Sequence, residues 1–93
     1  MGFSVQQLHS LAKVVIGNGA TIINERAFNG CTALTSITIG SGMKTIAKNA
    51  FVNCAALTDV YYNGTEDQWN AIDIATEGND PLRNATIHFA QPE

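Results

Sequence analysis

Residues 25–34 read "ERAFNGCTAL" and residues 48–57 read "KNAFVNCAAL", so an Ala-Phe-x-x-Cys-x-x-Leu phrase returns after 23 positions. A cysteine in each copy raises the question of chemistry against architecture. Paired thiols can hold a metal or a disulfide, whereas a repeated core position fills space. Working outward settles the frame. Residues 11–33, "LAKVVIGNGATIINERAFNGCTA", and 34–56, "LTSITIGSGMKTIAKNAFVNCAA", agree at nine of 23 positions. A third unit opens at Leu57 as "LTDVYYNG" and then departs from the pattern, while Val5, Leu8 and Leu11 keep the spacing of Phe28, Cys31 and Leu34. Residues 2–10 thus look like the tail of a degraded earlier unit. A fixed period in the twenties marks a solenoid, whose units bury their apolar side only by stacking on neighbours.

Each unit can be read position by position. Leu34, Ile37 and Ile39 suit a short strand with Thr38 on its other face, because strand side chains alternate; Leu11, Val14 and Ile16 repeat this, as do Leu57, Val60 and Tyr62. Gly17-Asn-Gly19 and Gly40-Ser-Gly42 then offer positive φ for a sharp turn, and Ile23 and Ile46 point back inward. Ala27-Phe28-x-x-Cys31 and Ala50-Phe51-x-x-Cys54 carry apolar residues three apart, as one turn of α or 3₁₀ helix would.

Composition bounds the rest. A 93-residue chain is one domain with a modest core. It is 45% apolar and only 14% charged, against roughly 25% charged in an average domain, and so leans towards strands. The net charge of −3 comes from scattered residues, with no basic cluster to neutralise phosphates, which argues against nucleic acid or an anionic membrane surface as partner. No run approaches the roughly 18 apolar residues of a membrane span, so no membrane insertion is expected, and "MGFSVQQLHSLAKVV" lacks the charge and apolar run of a secretory signal.

The stretch "LTSITIGSGMKTIAKNAFVNCAALTDVYYNG" resembles the BspA-like leucine-rich repeats, also called the Treponema pallidum type, which are common in surface proteins of gut and oral bacteria. The likeness covers about residues 5–89. It rests on the Leu-x-x-Ile-x-Ile, Ile, Ala-Phe-x-x-Cys and Leu positions of both full units. One departure is that the family usually places proline straight after the strand, where this chain has Gly17, Gly40 and Asn63. The resemblance implies a β-rich α/β solenoid, a short right-handed stack of 23-residue leucine-rich repeats with strands on one face, short helical turns opposite and a C-terminal cap. A single domain over 1–93 would divide into the degenerate unit 2–10, repeats 11–33 and 34–56, and a terminal strand, helix and capping strand over 57–93.

The ending "VYYNGTEDQWNAI … LRNATIHF" resembles the close of many such proteins. Thr65 with Gln68 makes a capping box, Glu66 and Asp67 suit the positive end of the helix, and Trp69 and Ile72 share a face that can cover the last repeat. Residues 73–81 read as a loop, and Ile87 and Phe89 as a final strand with His88 turned outward. Such a cap answers the exposed apolar surface and strand edges of an open stack end.

The cysteines can now be weighed. One solenoid step sets equivalent residues about 4.7–4.9 Å apart, within the Cα range of a disulfide, but with side chains parallel rather than converging. Buried free thiols, a bridge and a metal are the three readings. The family's use of this position as a core ladder favours the first. A zinc ion would need two further ligands, and His9 and His88 fall at opposite ends of the stack, so no metal or other cofactor is expected. Glu66, Asp67, Asp73, Glu77 and Asp80 lack the alternating pattern of a calcium loop. Asn63-Gly-Thr65 and Asn84-Ala-Thr86 are acceptor sequons that matter only in a glycosylating host. No nucleophile motif or phosphate loop is present, and an enzyme is not expected.

A better candidate is the outward column. Val15, Thr38, Tyr61 and His88, flanked by Lys13, Ser36, Asp59 and Thr86, should line one exposed sheet face, where tyrosine and histidine could anchor a partner. The plain alternative is that such residues suit a strand surface. Two functions follow as expectations: a non-enzymatic module for protein or glycan partners, cell-surface or secreted by resemblance, and a capping fragment of a longer solenoid without a ligand. The second carries a possible homo-oligomer through the N-terminal stack end.

Overall fold

Short β-branched segments recur at one spacing, and the chain lays them side by side. The computed structural model describes residues 2–3 and 11–90, with side chains over 11–90. In chain order the elements are β1 (Gly2–Phe3), β2 (Lys13–Ile16), β3 (Ile22–Ile23), β4 (Ser36–Ile39), β5 (Thr45–Ile46), β6 (Asp59–Tyr62), α1 (Glu66–Asn70), β7 (Asp73–Ile74), α2 (Asp80–Asn84) and β8 (Thr86–Phe89). They build two parallel sheets, β1-β3-β5-β7 and β2-β4-β6-β8. Val14 pairs with Ile37, and Ile37 with Val60, each 23 residues on. The apolar rows are therefore continuous across strands.

Between the sheets lies the core. Ile16, Ile37, Ile39, Val60 and Tyr62 enter from one side, and Ile23 and Ile46 from the other. Phe28 and Phe51 fill the far edge, stacked at 5.1 Å with planes 8° apart, and neither is exposed at all. Both cysteines are free, buried thiols. Cys54 donates its S–H to the Phe28 carbonyl at 3.0 Å, and burial pushes its pKa up to about 11. Cys31 is likewise raised by burial. These thiols pack as small hydrophobes and are poor nucleophiles.

The side opposite the four-residue strands departs from expectation in three respects. A second sheet stands there, since Ile23 and Ile46 belong to strands. The Ala-Phe-x-x-Cys segments are successive hydrogen-bonded turns and not helix: Ala27 donates to Asn24, Asn29 to Arg26, Cys31 to Phe28 and Leu34 to Cys31. Left-handed residues at Arg26 (φ 64°), Gly30 (77°), Asn49 (60°) and Asn53 (67°) interrupt any helical run. Thirdly, the positive-φ glycines of the described chain are Gly30 and Gly78, and none of Gly17, Gly19, Gly40 or Gly42 is among them. Gly40 serves close approach instead, because a Cβ there would sit 2.7 Å from the backbone of Asn18 in the preceding coil.

Residues 73–81 are not one loop, since they hold β7 and the start of α2. Ile23 and Ile46 pair at a spacing of 23, whereas Ile46 pairs with Ile74 at 28, and the five residues of α1 account for the difference. The chain thus completes a further coil with a helix inserted. Counted on that 28-residue offset, Asn79 falls where Phe28 and Phe51 stand, and Leu82 where Cys31 and Cys54 stand. The capping box forms as expected: Gln68 N–H donates to the Thr65 hydroxyl at 3.2 Å, and Thr65 N–H to Gln68 Oε1 at 2.8 Å. Ile72 is buried, while Trp69 is half-buried and meets Tyr62 edge-on at 5.2 Å. Val5, Leu8 and His9 lie outside the described residues.

Candidate functional site

Strand register decides which side chains can act together. It aligns Lys13, Ser36, Asp59 and Thr86 in one row and Val15, Thr38, Tyr61 and His88 in the next row on the same face. All eight lie where the sequence spacing puts them. Val15 is 73% exposed and Tyr61 44%, whereas Ser36 and Thr38 are half-buried among their neighbours. The face is polar at one edge and aromatic at the other.

Tyr61 and His88 stack with centroids 4.5 Å apart and planes 14° from parallel. That separation is close to the strand spacing, so the rings stand edge-up from the sheet and spend facing surfaces on each other. The phenol oxygen and the imidazole rim are what a partner would meet. His88 Nε2 lies 2.9 Å from Asp59 Oδ1, and the Thr58 hydroxyl donates to Oδ2 at 2.8 Å. A carboxylate only accepts, so Nε2 carries the proton and the ring is fixed in orientation.

The hydrogen bond from His88, then that from Thr58, holds the Asp59 carboxyl below its ordinary pKa. A depressed folded-state pKa stabilises the fold above the unfolded value and loses that contribution as pH falls through the folded one. Asp59→Asn is therefore expected to flatten the fall in melting temperature below about pH 4 relative to the parent chain, by a small amount because the site is open to water. Parallel melting curves for the two proteins would remove the clamp from β6 to β8.

A second feature was not legible in the sequence. A cleft of about 350 Å³ opens between α1, β7, α2 and β8, lined by Trp69, Asn70, Ile72, Ile74, Leu82, Arg83 and Ile87. Trp69 and Ile72 announced a covering helix. The hollow beside them depends on β7 and α2, which read as a loop. Among the described residues no group of three or more His, Cys, Asp or Glu is placed to hold a metal ion, and no helix is long and apolar enough to cross a membrane.

Comparison with known proteins agrees with this architecture. No curated protein and no solved structure matches the chain. A family model, described as the BspA type leucine-rich repeat region in six copies, matches residues 3–73. That span takes in the second residue of β1, β2 to β6, α1 and the first residue of β7, which are the coils whose rows of Ile, Phe and Cys build the core. By its repeats and by the parallel sheets they form, the chain belongs to the BspA-type leucine-rich repeat family.

Proposed function

We propose that the chain is a non-enzymatic interaction module of an exported or surface-attached bacterial protein, engaging a protein or glycan through the Val15–Thr38–Tyr61–His88 face. The observation that carries the reading is the Tyr61–His88 stack, held upright by Asp59 at the exposed end of the row. Pre-oriented aromatic side chains lose little entropy on binding, and tyrosine is enriched where interface energy concentrates. Lys13, Ser36, Asp59 and Thr86 supply the polar rim beside it. The scaffold is read as a right-handed coil of 23-residue units, the hand that parallel crossovers favour.

Immobilised matrix proteins and a glycan array provide the test. A ligand so found should bind at least about tenfold more weakly to Tyr61→Ala and His88→Ala, a loss of roughly 1.4 kcal/mol or more. Binding unchanged in both variants would move the site elsewhere. The runner-up, a capping piece of a longer solenoid without its own ligand, draws on the inserted helix and on Asn79 at the end of the stack.

A further inference from the structure

We propose that the ends of this chain are complementary and that copies associate head to tail, the C-terminal cleft of one receiving the β2 edge of the next. Three observations lead to it. First, both sheets end in open edges among the described residues: β1 and β2 begin the two stacks, and β7 and β8 finish them. Every pairing is parallel, so a β8 edge is continued in the same sense by a β2 edge and not by a second β8. Thr86 and Ala90 direct their N–H groups back to Thr58 and Tyr62, which leaves those of Ile87 and Phe89 on the outer edge.

Second, the side-chain rows match in that arrangement. Extending the register by one strand sets Ile87 against the half-buried Val14 of the next copy, apolar on apolar, and carries the outward row from His88 to Val15. The cleft between β7 and β8, floored by Ile72, Ile74 and Leu82, lies where a further coil would deposit its core residues.

Third, formal charge separates along the stack although the total is only −3. Residues 11–56 hold Lys13, Arg26, Lys44 and Lys48 against Glu25 alone. Residues 57–90 hold Asp59, Glu66, Asp67, Asp73, Glu77 and Asp80 against Arg83 alone. The leading half of the stack is therefore basic and the trailing half acidic whenever copies line up in one direction. Like ends repel. A heterologous contact of this kind does not close on itself, so the product is an open series and not a dimer.

This proposal uses the ends of the stack and stands apart from the exposed face discussed above. Light scattering on the full chain should show a mass that climbs past the dimer with concentration at about 0.01 M salt and falls back towards the monomer at about 1 M, where the screening length shrinks from about 30 to about 3 Å. Amide hydrogen exchange on the same samples should slow at both edges together as concentration rises: Ile87 and Phe89 at one, Lys13 and Val15 at the other. A chain monomeric throughout at low salt overturns the proposal, as does a dimer that protects one edge only.

Variants then assign the ends. Lys13→Glu with Val15→Glu, both exposed positions, should abolish growth, and so should Ile87→Lys. An equimolar mixture of the two should give dimers and nothing larger, because one partner keeps a working leading end and the other a working trailing end. Persistence of large species in either variant alone would overturn the assignment. Should Ile87→Lys fail to fold, judged by its melting curve, the salt and exchange series on the parent chain decide the matter.

Discussion

Asn79→Ala should lower the stability of the chain by about 3 kcal/mol, one of the two largest effects expected of any single substitution. Its side chain is wholly buried and makes three hydrogen bonds, leaving none of its polar atoms without a partner. Oδ1 accepts from Phe51 N–H at 3.1 Å, while Nδ2 donates to the carbonyls of Ala47 at 3.0 Å and Ala75 at 2.8 Å. In the coil before, Phe28 N–H is satisfied by the Ala50 carbonyl of the following repeat. Asn79 supplies by side chain what another repeat would supply by backbone.

Truncation strands the Phe51 N–H and the Ala75 carbonyl, each costing about 1–3 kcal/mol if left dry, while the Ala47 carbonyl keeps the Ala50 N–H at 3.3 Å and water entry at the stack end reduces the total. Native stability for 93 residues lies at roughly 5–14 kcal/mol, so about 3 kcal/mol corresponds to a fall in melting temperature of roughly 12–24 °C. Asn79→Asp should be worse than its shape suggests, since a carboxylate oxygen would then face two carbonyls. Glu77 and Gly78 deliver Asn79 to this position: Asn49 N–H donates to the Glu77 carbonyl at 2.8 Å, and Gly78 adopts φ +74° against the Asn49 backbone, where a Cβ would collide. A thermal melt within about 3 °C of the parent would show that the end of the stack does not depend on this side chain.

What could be read in advance followed from repetition. Ile37 and Ile39 read as core and Thr38 as surface because Val14, Val15 and Ile16 repeat the same alternation 23 residues earlier, and the outward rows come with the register. The second sheet leaves no signature in the sequence because Ile22–Ile23 and Thr45–Ile46 are too short to show alternation. Apolar residues three apart at Phe28 and Phe51 fit a helix and a series of turns equally well; left-handed φ at Arg26, Asn49 and Asn53 decides between them, and side-chain pattern does not report it. Asn79 was invisible for a further reason. Five inserted residues move it off the 23-residue grid, so nothing in the sequence places it in the column of Phe28 and Phe51. The spacing places Asp59 and His88 on the exposed face in separate rows, but their contact is diagonal across 29 residues and depends on atomic positions that no spacing encodes.

Phe51→Ala should cost about 4 kcal/mol and lower the melting temperature by roughly 15–30 °C, measured by circular dichroism with Trp69 emission as a second probe. Phe51 has no exposed surface, and its ring is the middle member of a column running from Phe28 to Asn79. Removing it loses the transfer energy of a buried aromatic, opens a cavity, and deletes a stacked pair worth about 0.5–1.5 kcal/mol beyond its area. Phe51→Leu, which keeps most of the volume, should cost less than half as much. Position matters more than residue type here. Phe51 joins the last regular coil to the inserted one, and its own N–H is the donor to Asn79. The double substitution Phe51→Ala with Asn79→Ala should therefore fall short of the sum of the two by at least about 0.5 kcal/mol, because each already loosens the same junction. In a solenoid, where each coil is held by its neighbours alone, failure at that junction should release α1, β7, α2 and β8 together. Trp69 emission and the far-ultraviolet signal of the parent chain should then melt as one transition, but separate in Phe51→Ala, with the tryptophan changing first. Coincident transitions in the variant would mean that the coils fold as one unit, and that the cost of losing Phe51 is shared by the whole core.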